Sequence, residues 1–172
     1  MSRLLIRIVL ALLALSVIAV SGAWLALRGS LPQLDGTLQT TAIGALTSID
    51  RDQLGSVTIT ASNRDDVTWA LGYVHAQERF FEMDLMRRSA AGELAELFGS
   101  AALPIDRRAR VHRMRARAEA GLALAAERDR TLIERYRDGV NAGLAALRVR
   151  PFPYLLMRTT PRPWSSADSL LV

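Results

Sequence analysis

The strongest constraint on this chain is an uncharged run of 20 residues, Ile8–Leu27, near its N-terminus. Arg3 and Arg7 precede the run, and Arg28 follows it. A helix needs about 20 mostly apolar residues to span a bilayer, whereas the apolar core of a secretory signal has about 7–15. The length therefore predicts that residues 1–28 are an uncleaved membrane anchor. The flanking arginines favour a cytoplasmic N-terminus, with the rest of the chain outside the cytoplasm.

A cleaved signal peptide is the alternative interpretation of the same segment. Ala19-Val20-Ser21 has the small-x-small pattern of a cleavage site. Both interpretations predict export, and they differ in whether residues 1–28 stay in the mature protein.

The composition limits the net charge of the exported part and the kinds of catalytic and metal sites that it can contain. After residue 28 the chain has 19 of the 22 basic residues and all 17 acidic ones, so this part is close to neutral. The chain has no cysteine, which excludes disulfides, thiol catalysis and zinc–thiolate sites. His75 and His112 are too few for a histidine-rich metal site.

The region after the apolar run begins with a linker and a hairpin. Residues 29–48 are rich in Gly, Ser, Thr and Pro, which predicts a linker. Thr47–Ile49 and Val57–Ala61 are β-prone runs, and Gly55 between them predicts a tight turn. Asn63 is a typical N-cap and predicts the start of a long helix.

The remaining chain predicts three helical regions and a Pro-rich segment. Gly92 interrupts the first helix and Gly99 ends it; the second runs from after Pro104 to about Glu127, and the third starts near Asp129. The third region has apolar residues at helical spacing, namely Leu132, Tyr136, Val140, Leu144 and Leu147. Four prolines between positions 151 and 163 predict irregular structure.

The last residues predict the start of another helix. Ser165 and Asp168 have the Ser-x-x-Asp spacing of a capping signal, and Ser-Leu-Leu-Val follows. We expect a helix that continues beyond Val172, so that the chain is truncated at its C-terminal end.

The long first helix combines two apolar stripes with many charges. One stripe consists of Val67, Leu71, Val74, Phe81 and Leu85, and the other of Trp69, Ala76, Phe80 and Met83. The charged residues are Glu78, Arg79, Glu82, Asp84, Arg87 and Arg88. An unpaired buried charge costs several kcal/mol, so we expect these charges to be paired, with Asp84 and Arg88 as an i,i+4 pair.

Two clusters invite a functional interpretation. His75, Glu78 and Glu82 could converge as a metal or acid–base site, but a polar network is favoured because the sequence marks no further ligand. Six arginines within 107–117 could bind nucleic acid or anionic lipid. Export and the lack of interleaved aromatics favour a solvated or ion-paired face instead.

Several segments together resemble the start of the penicillin acylase (penicillin amidase) family. They are RDQLG at Arg51–Gly55, ALGYVHAQERFFEMDLMRRSAAGELAELFG at 70–99, the Asp138–Ala142 segment, and PRPWSSADSLLV at the end. The similarity covers roughly residues 49–172, and the HAQER-x-F-x-M-D-x-x-R-R pattern is specific over its whole length. Ser56, Val57 and Thr58 depart from the Val-Pro-His that usually follows this glycine in the family.

The resemblance implies a fold and an activity. Such proteins are N-terminal nucleophile hydrolases, made as one precursor that cuts itself into a smaller α chain and a larger β chain. This chain, mainly α with a short β-hairpin, would be part of a four-layer α-β-β-α sandwich. The N-terminal serine of the β chain attacks an amide carbonyl, and its own α-amino group is the base. Typical substrates are β-lactam side chains, acyl-homoserine lactones and related acyl amides.

The resemblance also implies what this chain lacks. It matches the N-terminal α-chain portion only, so no catalytic, substrate-binding or metal-binding residue is predicted here. The chain alone should be inactive, and its expected partners are the β chain of the same precursor, the membrane and, in the complete enzyme, a small acyl amide. No cofactor is expected in this chain, calcium belongs to the full-length protein, and nucleic acid is not a partner.

Two further expectations can be tested. If the helices lack their β-chain partner, Phe80, Phe81, Met83, Leu85 and Phe98 should leave a large apolar surface exposed. The alternative function is a non-enzymatic, membrane-tethered helical module whose 107–117 face binds lipid or a protein partner.

Overall fold

The computed structural model describes residues 3–172 as mainly α-helical with one β-hairpin, as the sequence predicts. In chain order the elements are α1 (Arg3–Gly29), β1 (Ser48–Arg51), β2 (Val57–Thr60), α2 (Arg64–Ala91), α3 (Ala95–Phe98), a 3-10 turn (Gly99–Ala102), α4 (Leu103–Arg110), α5 (Met114–Leu124), α6 (Glu127–Ala146), α7 (Phe152–Leu156) and a second 3-10 turn (Ser166–Leu170).

The predicted hairpin and its turn are confirmed. Strands β1 and β2 pair antiparallel, with Ser48 opposite Thr60. Gly55 has a φ of 81°, which glycine adopts without strain. The Asp52 carboxylate accepts hydrogen bonds from the backbone N–H groups of Leu54 and Ser56, so its side chain holds the turn closed.

The predicted start of the long helix at Asn63 is confirmed, but the helix ends at Gly92, which the sequence predicts only as an interruption before a stop at Gly99. The Asn63 side chain caps α2 by accepting a hydrogen bond of 2.8 Å from the backbone N–H of Asp66. At the other end Gly92 has a φ of 72° and ends the helix in the left-handed conformation. Between the ends, Arg79 has non-helical angles (φ −144°, ψ 26°), so α2 is kinked.

The two apolar stripes of α2 differ in burial. Trp69, Ala76, Phe80 and Met83 are all buried. Of the other predicted stripe only Val74 is buried, and Leu71 is 38% exposed. Within the described residues, one stripe of α2 is therefore buried and the other is mostly half-buried or exposed.

Helices α2 and α6 pack closely because three glycines lie at their contact. A Cβ atom on Gly139 would lie 1.9 Å from the carbonyl oxygen of Trp69, and one on Gly143 would lie 2.3 Å from that of Tyr73. Gly72 is equally close to the backbone of α6. Only glycine permits this backbone-to-backbone contact.

The core lies between this helix pair and the C-terminal segment that folds over it. Its buried residues are Ala76, Phe80, Met83, Val140, Tyr154 and Trp164. The expectation that Phe80, Phe81 and Met83 are exposed without a β chain is wrong, because Tyr154 and Trp164 cover this face from within the chain. Phe98 is exposed as expected, at 47%.

Three predictions about the later helices need correction. The region after Pro104 forms two helices, because the chain breaks at Arg113, whose φ is 52°. The Pro-rich segment is not wholly irregular: Pro153 lies in the first turn of α7, where a missing N–H costs nothing. The Ser165–Asp168 capping box forms as predicted, but it opens a 3-10 turn.

Helix α1 and the segment after it contact the rest of the chain in different ways. No residue of α1 is buried, and α1 is the one described helix that could cross a membrane by length and composition. Residues 32–47 form no helix or strand but lie against the helix pair. The Asp66 carboxylate accepts hydrogen bonds from the N–H groups of Gly44 and Ala45, and Arg135 donates to the carbonyl of Ala42.

Candidate functional site

The polar centre of the molecule is the guanidinium of Arg87, which is completely buried. Its Nε donates to Asp84 and one Nη donates to Asp168, both at 2.7 Å. Two further hydrogen bonds from the Nη groups reach the carbonyl oxygens of Arg162 and Pro163. A buried charge needs this degree of pairing to be tolerated.

Asp84, one turn before Arg87, accepts hydrogen bonds on both oxygens of its carboxylate. It accepts from Arg88 Nε at 2.9 Å, which confirms the predicted i,i+4 pair. It also accepts from the Tyr154 hydroxyl at 2.6 Å. Burial and this hydrogen bond raise the pKa of Tyr154, so its hydroxyl stays protonated and donates to the carboxylate.

Toward the surface, the network continues through a second set of ion pairs. Arg115 donates to Glu93 at 2.6 Å and to Asp168 at 2.9 Å, and Arg162 donates to Glu93 at 2.7 Å. Burial alone would raise the pKa of Glu93, but Arg115 and Arg162 lower it further than burial raises it. Burial also raises the pKa of Asp168, but the hydrogen bond from the Ser165 backbone N–H and the charge of Arg87 lower it further.

The geometry makes this network a clamp between α2 and the segment around residues 162–168. All three nitrogens of the Arg87 guanidinium donate hydrogen bonds, and both Asp84 oxygens accept them. Proton transfer to a substrate requires a group that can reach it, and these groups are enclosed. The predicted pairing of the α2 charges is thus confirmed at Asp84, Arg87 and Arg88.

Sequence reasoning missed the distant members of the clamp. Asp168 was interpreted only as half of a capping box, and it is also an ion-pair partner of Arg87. Tyr154 lies in a segment where the prolines predicted irregular structure. The only signal in the sequence was the excess of charge on an otherwise apolar helix, which requires partners from elsewhere.

The structure separates the three residues of the possible metal or acid–base site. His75 Nδ1 lies 2.9 Å from the Tyr136 hydroxyl on α6, and Glu78 forms an ion pair of 2.6 Å with Arg51 on β1. Glu82 is exposed. His75 and Glu78 thus have structural partners on other elements, which agrees with the favoured polar interpretation for these two residues but not for Glu82. Burial and the nearby Arg79 lower the pKa of His75.

The residues present do not fit a calcium or other metal site. Within residues 3–172 no three His, Asp or Glu side chains come together in a way that could hold a metal ion.

The arginine cluster at 107–117 divides into two groups. Arg115 belongs to the clamp, and Arg110 Nε donates to the carbonyl of Gly92 at 2.7 Å. The others are exposed and form no ion pair within the described chain: Arg107, Arg108, Arg113 and Arg117. The cluster is thus partly ion-paired and partly solvated, as predicted.

A groove of about 690 Å³ lies between residues 33–51 and α2. Trp69, Tyr73, Val74 and Gln77 of α2 form one wall. The other wall comes from the segment that follows α1 and from β1. The groove offers mainly apolar side chains and backbone groups, which suit a contact surface better than an acid–base site.

Comparisons with known proteins agree with this fold. The family model described as penicillin amidase matches residues 47–172. The penicillin acylase 2 proenzyme of Pseudomonas sp. (strain SE83) is 37% identical over 150 residues, which is 86% of this chain and 19% of that protein. The acyl-homoserine lactone acylase QuiP of Pseudomonas aeruginosa is 38% identical over 145 residues, 83% of this chain and 17% of that protein.

A solved structure also matches. A thermostable penicillin G acylase from Alcaligenes faecalis superposes with a TM-score of 0.65 and 28% identity, covering 73% of this chain and 69% of the matched chain. The two shares are similar, so the two chains have similar lengths.

Fold and sequence thus define the class: this chain belongs to the penicillin amidase family. Within that family it corresponds to the N-terminal portion, and it spans less than a fifth of the length of the curated relatives described above.

Proposed function

We propose that this chain is the N-terminal, α-chain-like portion of an amidohydrolase that cleaves acyl amides. The observation that carries the proposal is the family match over residues 47–172, together with a matched solved chain of similar length. The two curated relatives described above are named as acylases, and one of them is named as a proenzyme.

In the proposed enzyme this chain supports the site without performing the chemistry. The resemblance assigns the nucleophile to the N-terminal serine of a β chain, whose α-amino group accepts the hydroxyl proton. Asp84, Arg87 and Arg88 of α2 are engaged in the clamp, which is consistent with a structural role. A rigid scaffold holds catalytic groups of a second chain in position, and small displacements of such groups cost much activity.

The substrate class that we propose includes β-lactam side chains and acyl-homoserine lactones. Identity to the penicillin acylase is 37% and identity to the acyl-homoserine lactone acylase is 38%, so both classes have equal support. Both reactions hydrolyse an amide between an acyl group and an amine, and the serine mechanism is the same for each.

The test compares this chain alone with this chain plus a β chain encoded downstream of it. We expect no amine release from a penicillin or from an acyl-homoserine lactone by the 172-residue chain, and turnover of at least one of them when the β chain is present. A variant of the β chain with its N-terminal Ser replaced by Ala is the control. Turnover by the purified chain alone would contradict the proposal. A stop codon after Val172 with stable expression would favour the membrane-tethered module instead.

We also propose that the protein acts outside the cytoplasm, with α1 as an uncleaved anchor. The support is an exposed apolar helix of 27 residues that begins and ends near arginines. This length exceeds the roughly 20 residues that a bilayer requires.

A further inference from the structure

The end of α1 contacts the end of α6, and this contact orients the rest of the molecule relative to α1. The backbone N–H of Val149 donates to the carbonyl of Gly29 at 3.0 Å. Trp24, Arg28 and Arg148 line a groove of about 550 Å³ at the same place. The segment after α6 is therefore attached to the last turns of α1.

The depth of this contact in a bilayer follows from helix geometry. A helix rises about 1.5 Å per residue, so Trp24 lies about 5 Å inside the end of the apolar run at Leu27. Trp and Arg are the residues that favour the interface between hydrocarbon and water. If α1 spans the membrane, residues 146–149 lie at the depth of the lipid headgroups.

Helix α7 follows this contact, and its orientation is fixed by one buried side chain. Tyr154 is completely buried and donates to Asp84. Phe152 and Leu156 are one turn apart and lie on the opposite side of α7 from Tyr154. They are 51% and 77% exposed. The side of α7 that faces away from the core is thus apolar.

The charged residues that flank α7 along the chain are all arginines. No Asp or Glu occurs between Asp138 and Asp168. Arg148 and Arg158 are exposed, and within the described residues neither forms an ion pair. Nε of the half-buried Arg150 is buried without a hydrogen-bond partner. Apolar residues flanked by unpaired arginines are typical of a surface that lies in a membrane interface.

We propose that this surface, which we call the α7 face (Arg148, Phe152, Leu156 and Arg158), docks onto the membrane beside α1 and binds anionic lipid headgroups. The inference rests on the proposal that α1 spans the bilayer. Phe152 and Leu156 insert at the level of the acyl boundary, and the arginines contact the phosphates. Two contacts fix the orientation of the domain on the membrane, whereas one helix would leave it free to rotate.

The absence of cysteine allows a direct test. Single variants Leu156→Cys, Leu54→Cys and Leu12→Cys of the full chain are spin-labelled and placed in phosphatidylcholine vesicles containing phosphatidylglycerol. Leu54 is the control, since it is 91% exposed in the hairpin turn. We expect the label at 156 to collide several-fold more often with oxygen than with a water-soluble nickel chelate, and the label at 54 to show the opposite ratio.

A second pair of variants tests the headgroup contact. Arg148→Gln with Arg158→Gln should move the label at 156 toward water, and vesicles of phosphatidylcholine alone should do the same. Arg107→Gln with Arg108→Gln is the matched control and should leave the label in place. An unchanged position in all of these vesicles and variants would overturn the role of the arginines.

The three labels separate failure of this inference from failure of the anchor. A label at 12 in lipid with a label at 156 in water would overturn the docking and leave the anchor standing. A label at 12 in water would overturn the anchor itself. If neither oxygen nor the nickel chelate collides with the label at 156, the label is buried against protein, which also contradicts docking on lipid.

Discussion

Arg87 shows how one residue can connect distant parts of this chain. Its guanidinium bonds Asp84 three residues away and Asp168 eighty-one residues away. It also lies 4.8 Å from the centre of the Trp164 ring, a cation–π distance. Methionine has a similar length but no charge, so substitution would leave the Asp168 carboxylate without its most buried partner.

We expect Arg87→Met to lower the free energy of unfolding by about 3–5 kcal/mol, the usual cost of breaking a buried ion pair. Urea unfolding of the full chain in detergent micelles, followed by tryptophan fluorescence, measures the change. Arg108→Met is the control, because Arg108 is exposed and should change stability by less than about 0.5 kcal/mol. Equal effects of the two substitutions would contradict the clamp.

The clamp also predicts how stability depends on pH. Burial alone would raise the pKa of Asp168, but the backbone N–H of Ser165 and the Arg87 guanidinium lower it below its usual value. A carboxylate with a lowered folded-state pKa stabilises the fold above the unfolded-state pKa of about 3.9, and this stability is lost as the pH falls through the folded-state pKa.

We therefore expect Asp168 to make the free energy of unfolding decrease below about pH 4. This decrease adds to an earlier one below about pH 6.5 from His75, whose pKa is lowered in the fold. Unfolding curves between pH 3 and pH 7 measure this dependence. In Asp168→Asn the decrease with acid should be smaller, since one of the responsible carboxylates is gone. An identical slope in both proteins would exclude Asp168 as a source of the pH dependence.

At the scale of elements, the contact between α2 and α6 depends on glycine. Gly139 and Gly143 are one turn apart on α6 and face the backbone of Trp69 and Tyr73. The Asp138–Ala142 segment entered the sequence interpretation only as part of a family pattern. Its physical role is that small residues let two helices approach closely.

We expect Gly139→Ala to destabilise the protein by about 1–3 kcal/mol or more, because the new methyl group meets backbone that cannot move aside easily. Gly121→Ala on α5 is the matched control, since nothing lies within 4 Å of its added Cβ. There alanine should stabilise by up to about 1 kcal/mol through helix propensity. Thermal unfolding followed by circular dichroism compares them, and a neutral Gly139→Ala would contradict the close contact.

At the scale of the whole molecule, the first prediction concerns α1. We expect the mature protein to contain Leu12 and to leave the membrane fraction only with detergent, since the apolar run is long enough to span. N-terminal sequencing of the purified protein, together with fractionation, provides the measurement. A mature N-terminus at Gly22 or later, with the protein soluble, would show that residues 1–21 are a signal peptide.

The second prediction at this scale concerns the missing chain. Phe98, Ile105, Val111 and Met114 are 39–77% exposed on α3 to α5, although the core itself is covered. We expect residues 29–172 made alone to bind the dye ANS at this surface, and to lose that binding when a β chain is co-expressed. No dye binding, with a sharp cooperative unfolding transition, would show that the segment is self-sufficient.

The sequence by itself determined the features that depend on neighbouring residues: the apolar helix α1, the hairpin turned at Gly55, the cap at Asn63 and the stop at Gly92. Each of these follows from the conformational preference of one residue or from the periodicity of a short segment. The family patterns in the same residues indicated the class of protein.

Only the tertiary structure decided which charges meet. Asp168 reaches Arg87 across 81 positions and Tyr154 reaches Asp84 across 70, and no local pattern records such a pairing. Tertiary packing likewise decided which stripe of α2 is buried, because Tyr154, Trp164 and Val140 pack against Ala76, Phe80 and Met83. Burial of charge and apolar surface depends on segments that are distant along the chain, and folding alone brings them together.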